Sequence, residues 1–150
     1  MTKISDKLRW LQKDAHGVTR KEKLLMRQRV MEQIRAYFRA EGFLEAEIPL
    51  LVSGTTPDAY IQSFAVGDKY LTTSTEYQIK RMIAGGFEKV YTLTKNFREA
   101  EFGDYHNPEF TMLEWARVGS DLEAIEADVM NFMLGILQEL FPGSSYLDYQ

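Results

Sequence analysis

The sequence predicts an α+β fold, an antiparallel sheet flanked by helices, and three observations carry that expectation. Apolar residues recur at helical spacing in a long segment near the N-terminus and again near the C-terminus. Between those segments lie short runs of β-branched and aromatic residues bounded by glycine and proline, the punctuation of strands and tight turns. Two such runs, residues 89–94 and 110–118, flank a turn-rich stretch, which is how an antiparallel hairpin is written in sequence.

Taken in order, residues 1–19 are polar, and Asp14-Ala15-His16-Gly17 reads as a loop into Thr19. Thr19 with Glu22 three residues on is the pattern of a helix-capping box. A long helix over 21–41 follows, with Leu24, Leu25, Gln28, Met31, Ile34, Tyr37 and Phe38 on its apolar face. Gly42 stands where a left-handed residue would end it. Phe43 to Ile48 alternates as a short strand and Pro49 stops it. Residues 53–58 are turn-rich, and 61–66 with 69–73 predict a hairpin through Gly67-Asp68. A helix over about 75–84 should end at Gly85-Gly86. Residues 89–94 are a strand extended by 96–101 into the hairpin that 110–118 completes. Asp121 can cap a last helix whose apolar positions are Ile125, Val129, Phe132, Met133, Ile136, Leu137 and Leu140, ending near Pro142-Gly143. There is no internal repeat, low-complexity tract or linker, so residues 1–150 are expected to form one compact domain.

Composition narrows the function classes. A chain of 150 residues, 45% of them hydrophobic, has the material for a packed core. Without cysteine it can form neither a disulfide nor a thiolate metal site, and His16 and His106 are too few for a histidine-rich one. The N-terminus lacks the apolar core of a secretion signal, and no apolar run approaches the roughly 20 residues that span a bilayer. A cytoplasmic, non-membrane protein is the expectation. Most of the 18 basic residues fall in residues 1–41, and none follows Arg117. A basic face over Arg20, Lys21, Lys23, Arg27, Arg29, Arg35 and Arg39 could meet nucleic acid phosphates. Glu22, Glu32 and Glu41 interleave with it, so a solvated helix face is the preferred reading.

The densest chemistry lies in residues 96–115. Arg98 offers a planar fork for a phosphate or carboxylate, Glu99 or Glu101 can accept from an amine, and Phe110 can stack on a purine. Each residue alone is weak evidence, since an Arg-Glu pair is commonly a surface ion pair and a strand Phe is commonly core. Together with the rigid polar turn His106-Asn107-Pro108-Glu109 they point to a bound ligand.

These residues resemble the class II aminoacyl-tRNA synthetases, in particular the lysyl-tRNA synthetase catalytic domain and the related elongation factor P lysine ligase. Phe97-Arg98-Glu99 through His106-Asn107-Pro108-Glu109-Phe110-Thr111 is similar to the second signature motif, with Met112-Leu113-Glu114-Trp115 most similar to the ligase branch. Residues 21–49, ending in Gly42-Phe43-Leu44-Glu45-Ala46-Glu47-Ile48-Pro49, resemble the first motif, which builds a dimer interface in that family. Tyr70 to Arg81 resembles the substrate-binding strand and helix. The expected domain is therefore a partial class II catalytic domain over 1–150, with 1–20 as an N-terminal extension, 21–49 as motif one and 96–117 as motif two.

The resemblance implies ATP and an amino acid as ligands, with Arg98 as the catalytic residue bridging the α-phosphate and the amino-acid carboxylate. It implies nucleotide contacts from Glu99, Glu101, His106 and Asn107, and stacking of adenine on Phe110. Glu101 is preferred over Glu99 as the reader of the adenine amine. Glu76 would hold the α-amine near the Gly54 backbone, and Glu114 would meet a cationic, lysine-like side chain. The implied acceptor is tRNA or elongation factor P, and the implied assembly is a homodimer through helix 21–41. Three departures qualify it. Two glutamates flank Ala100, Ala116 stands where lysyl-type enzymes often carry tyrosine, and the glycine-rich third motif with its ATP-clamping arginine has no counterpart before Gln150. Ligands for Mg²⁺ are accordingly expected outside this sequence. Two readings stay open: amino-acid adenylation, and a catalytically impaired relative that dimerises or binds a partner.

Overall fold

A computed structural model of the protein describes residues 11–143 other than Ala100. The reading of residues 1–10 falls outside the described residues. The order is α1 (Arg20–Ala40), β1 (Leu44–Glu45), β2 (Leu51–Val52), β3 (Ala65–Val66), β4 (Lys69–Leu71), α2 (Glu76–Ala84), β5 (Lys89–Phe97), β6 (Glu109–Arg117) and α3 (Leu122–Leu140). The fold is α+β as expected. The chain divides into two compact units, residues up to Tyr37 with Asp121 onward, and Phe38–Ser120.

The first unit holds most of α1 and all of α3. The Thr19 amide and hydroxyl both donate to Glu22 Oε2, at 2.8 and 2.7 Å, and the Glu22 amide donates back to Thr19 Oγ1 at 3.2 Å. This is the anticipated capping box, which satisfies orphan donors of the first turn. Asp14 adds a second restraint, accepting from the amides of His16 and Val18 and pairing with Lys23. Asp121 caps α3 by accepting from the Ala124 amide at 3.1 Å. Tyr37 donates its hydroxyl to the buried Asp128 at 2.7 Å, and its ring lies 6.1 Å from that of Phe132. The apolar stripes read from sequence are covered only in part. Ile34, Phe132 and Ile136 are buried, whereas Leu24, Leu25, Val129 and Met133 are exposed.

In the second unit β5 and β6 pair antiparallel along nine residues each, from Lys89↔Arg117 to Phe97↔Glu109. The β1 strand adds parallel to β5, so this sheet is mixed rather than purely antiparallel. It is also shorter than the alternating run predicted for residues 43–48: Phe43 and Ala46 are buried while Leu44 and Glu45 face out, a spacing of three that no two-residue alternation fits. The predicted hairpin forms around Gly67, at φ +64, but only Ala65–Val66 and Lys69–Leu71 pair. The sequence reading missed β2, which pairs with β4. Phe38 has no exposed surface and packs on Tyr91 at 4.6 Å, Phe43 at 5.0 Å and Trp115 at 5.5 Å between ring centres. Gly42, at φ +78, turns the chain so that the Phe43 amide donates to the Phe38 carbonyl.

Candidate active site

The site grows from a hydroxyl-rich segment, Thr72 to Thr75, set between β4 and α2 beside the end of β5. The Thr72 amide donates to the Leu50 carbonyl and the Thr72 carbonyl accepts from the Phe97 amide, each at 2.9 Å. Backbone bonds thus pin this segment to both sheets. Its carbonyl at Thr73 then accepts from Arg98 Nε at 3.3 Å.

Arg98 is the first residue past β5, and its amide donates to the Pro108 carbonyl at 2.8 Å, which continues the hairpin pairing for one more step. Its side chain, 22% exposed, pairs through Nη1 with Glu101 Oε1 at 3.1 Å. The guanidinium carbon sits 5.0 Å over the ring of Phe110. Arg98, Glu101 and Phe110 are therefore one cluster. Glu99 is exposed and tied to it through the backbone, its amide donating to the Gln62 carbonyl at 2.9 Å. His106 and Asn107 are exposed; the backbone of His106 bridges to Gly103 and closes the hairpin loop. Asn96, which the sequence reading passed over, faces Phe110 across the hairpin and is fully buried with neither carboxamide atom bonded.

A second cluster forms around Glu114 on β6. Its carboxylate accepts from Ser74 Oγ at 3.0 Å and from the Thr75 amide and hydroxyl, both at 2.5 Å. Thr75 Oγ1 lies 2.7 Å from Thr92 Oγ1, and both threonines have no exposed surface. Thr75 was expected to open the helix, but its hydroxyl is turned to Glu114. Ser74 Oγ instead accepts the amide of Glu76, the first residue of α2, at 3.2 Å. The Glu76 carboxylate pairs with Lys80 Nζ at 2.5 Å, which raises the pKa of the lysine. Gly54 lines a cleft of about 580 Å³ with Val52, Tyr77, Lys80 and Arg81, so the cation paired with Glu76 borders the same cleft.

The structure thus brings Arg98, Glu101 and Phe110 together, joins Glu76 to Glu114 through Ser74, and links the two groups through the 72–75 segment. Sequence reasoning missed Ser74 and Thr75 as partners of Glu114, and Thr92 as the partner of Thr75. The available signal was four consecutive hydroxyl residues at a strand-to-helix junction, where buried hydroxyls need partners. Among the described residues no group of three or more His, Asp or Glu side chains could hold a metal ion, and no helix is long and apolar enough to cross a membrane.

The family of class II tRNA synthetases (D, K and N) matches residues 3–145. The elongation factor P--(R)-beta-lysine ligase of Erwinia tasmaniensis is 38% identical over 125 residues, covering 77% of this chain and 38% of that protein. The ligase of the same name from Salmonella arizonae is 39% identical over 137 residues, covering 85% of this chain and 42% of that protein. The chain spans about two fifths of the length of these relatives. A family match over nearly the whole chain, on a structure that clusters the motif residues, places this protein in the class II tRNA synthetase family.

Proposed function

We propose that this chain supplies the ATP- and amino-acid-recognising part of a lysyl-type class II ligase, and that the reaction it serves is amino-acid adenylation. In that reaction the carboxylate oxygen attacks the α-phosphorus, an acyl-phosphate bond forms, and pyrophosphate leaves with the electrons of the broken P–O bond. Two anions must meet, and negative charge builds on the phosphoryl oxygens. A fixed cation at that point both orients the reactants and stabilises the developing charge.

The observation that carries the reading is the setting of Arg98. Its guanidinium is held on one side by the Thr73 carbonyl and Glu101 and lies against Phe110, so a cation is pre-positioned beside an aromatic surface. The orphaned carboxamide of Asn96, opposite Phe110 in the hairpin, fits a site built around polar ligands, since such a group is costly to bury unbonded. In this reading Arg98 takes the α-phosphate and Phe110 stacks on adenine. Glu101 or Glu99 reads the adenine amine, while His106 and Asn107 approach the phosphate tail. Glu76, on release from Lys80, takes the substrate α-amine, and Glu114 meets a lysine-like side chain. Gly54 contributes backbone from the neighbouring cleft. Transfer to elongation factor P is favoured over tRNA by the names of the relatives.

The test is ATP binding and amino-acid-dependent ATP–pyrophosphate exchange. Arg98→Ala should weaken ATP binding by about ten- to a hundredfold, the worth of its charge-assisted hydrogen bonds. Unchanged nucleotide affinity would remove Arg98 from the site. A second reading, a dimerising partner-binding protein without turnover, is favoured by the exposed Leu24, Leu25 and Met26 on α1. Self-association with no exchange for any amino acid would select it.

A further inference from the structure

We propose that Thr75, with Ser74 beside it, is a positioning residue that fills Oε2 of Glu114 and leaves an open acceptor position on Oε1 alone, making that carboxylate selective for an ammonium over a guanidinium. The proposal rests on the amino-acid reading above. It follows from counting protons and lone pairs. An ionised carboxylate only accepts, with about two positions on each oxygen. Oε2 takes the Thr75 amide and the Thr75 hydroxyl. The Ser74 hydroxyl lies 3.0 Å from Oε1 and 3.2 Å from Oε2; with Oε2 already filled, its one proton goes to Oε1. One position on Oε1 remains.

The donors cannot turn away without cost. The single Thr75 proton goes to Glu114, so the bond to Thr92 must run from the Thr92 hydroxyl to Thr75 Oγ1. That fixes a directional chain, Thr92 to Thr75 to Glu114, among threonines with no exposed surface, where breaking any bond leaves a buried hydroxyl unpaired. Ser74 is held from the other side as well, since its oxygen accepts the Glu76 amide. The same serine therefore ties the expected side-chain carboxylate to the helix start that carries the expected α-amine carboxylate.

The chemical consequence concerns the shape of the cation. An ammonium can spend one of its three protons on one acceptor and remain well bound, whereas a guanidinium gains its advantage from two parallel bonds to both carboxylate oxygens. With Oε2 filled, that bidentate mode is closed.

Isothermal titration of the full chain with lysine and with arginine tests this. Wild-type protein should prefer lysine. Thr75→Val frees one position on Oε2 beside the open one on Oε1, so the bidentate mode opens and the lysine-to-arginine affinity ratio should fall by about tenfold, with ATP affinity unchanged. Thr75→Ser, which keeps the hydroxyl, should keep the wild-type ratio, and so should Ser74→Ala, which leaves Oε2 filled. A purely structural role would lower the melting temperature of Thr75→Val and leave the ratio alone, and that result in folded Thr75→Val overturns the proposal. Wild-type protein that binds neither amino acid overturns the underlying amino-acid reading instead, and does so before any variant is compared.

Discussion

Asp14 shows how much of a helix start can hang on one carboxylate. It accepts from two backbone amides and pairs with Lys23 in the first turn of α1. The Lys23 hydrogen bond, followed by the Val18 amide, holds its pKa down to about 2 from an ordinary 3.8. Glu22 is lowered in the same direction by the Thr19 amide and hydroxyl. A group with a depressed folded pKa contributes stability that is complete above its unfolded pKa and is lost as pH falls through the folded one. The loop 14–19 should therefore loosen between about pH 4 and pH 2, and Asp14→Asn should flatten that part of the pH dependence of urea unfolding. Carboxyl chemical shifts would report the midpoint directly, and a titration of Asp14 near 3.8 would show that the pairing is not made in solution. The capping box itself was legible in sequence because Thr19 and Glu22 lie within one turn. The role of Asp14 was not, since it depends on a bend that brings Lys23 back across the loop.

At the level of elements the same division holds, between signals carried locally and those completed by distant partners. The cap of α3 at Asp121, the turn at Gly67 and the β5–β6 hairpin were all readable, because each is specified by residues adjacent in sequence or by paired runs of strand formers. The β1 strand was read too long and in the wrong alternation. Two residues pair with β5, and the flanking Phe43 and Ala46 point inward because the chain bends around the aromatic cluster at Phe38. Of the site, the motif residues Arg98, Glu101 and Phe110 were legible as a group, whereas the partners of Glu114 were not, since Ser74 and Thr75 reach it from 40 and 39 residues away. The turn that makes the Phe38 cluster possible is a fair target. Gly42 sits at φ +78 and a Cβ added there would have nothing within 4 Å, so Gly42→Ala meets backbone strain without a clash. It should cost about 1 kcal/mol in chemical denaturation, against about 3–5 kcal/mol for Phe38→Ala. Equal losses for the two would mean that the turn and the ring cluster form one unit.

For the molecule as a whole, the telling feature is apolar surface left uncovered. Leu24 and Leu25 are each 51% exposed and Met26 is 38% exposed on α1, and Met130 and Met133 are exposed on α3. Leu24, Leu25 and Met133 fall on the helical stripes that the sequence pattern assigned to a core. Residues with that periodicity but without cover either cost solubility or meet another surface. Apolar side chains on the segment resembling motif one favour a second copy of the chain as that surface. Charge does not oppose it strongly: the net charge is only −4, and the exposed cations of α1 are interleaved with Glu22 and Glu32. If α1 is a dimer seam, Leu25→Glu should shift the protein from dimer to monomer in sedimentation at micromolar concentration while its helical circular dichroism stays the same. Arg29→Glu, a charge change on the same exposed half of the helix without loss of apolar surface, should shift the equilibrium less. If neither substitution moves the sedimentation of a dimeric wild type, the seam lies elsewhere, and a monomeric wild type would mean that these side chains face solvent in the isolated chain.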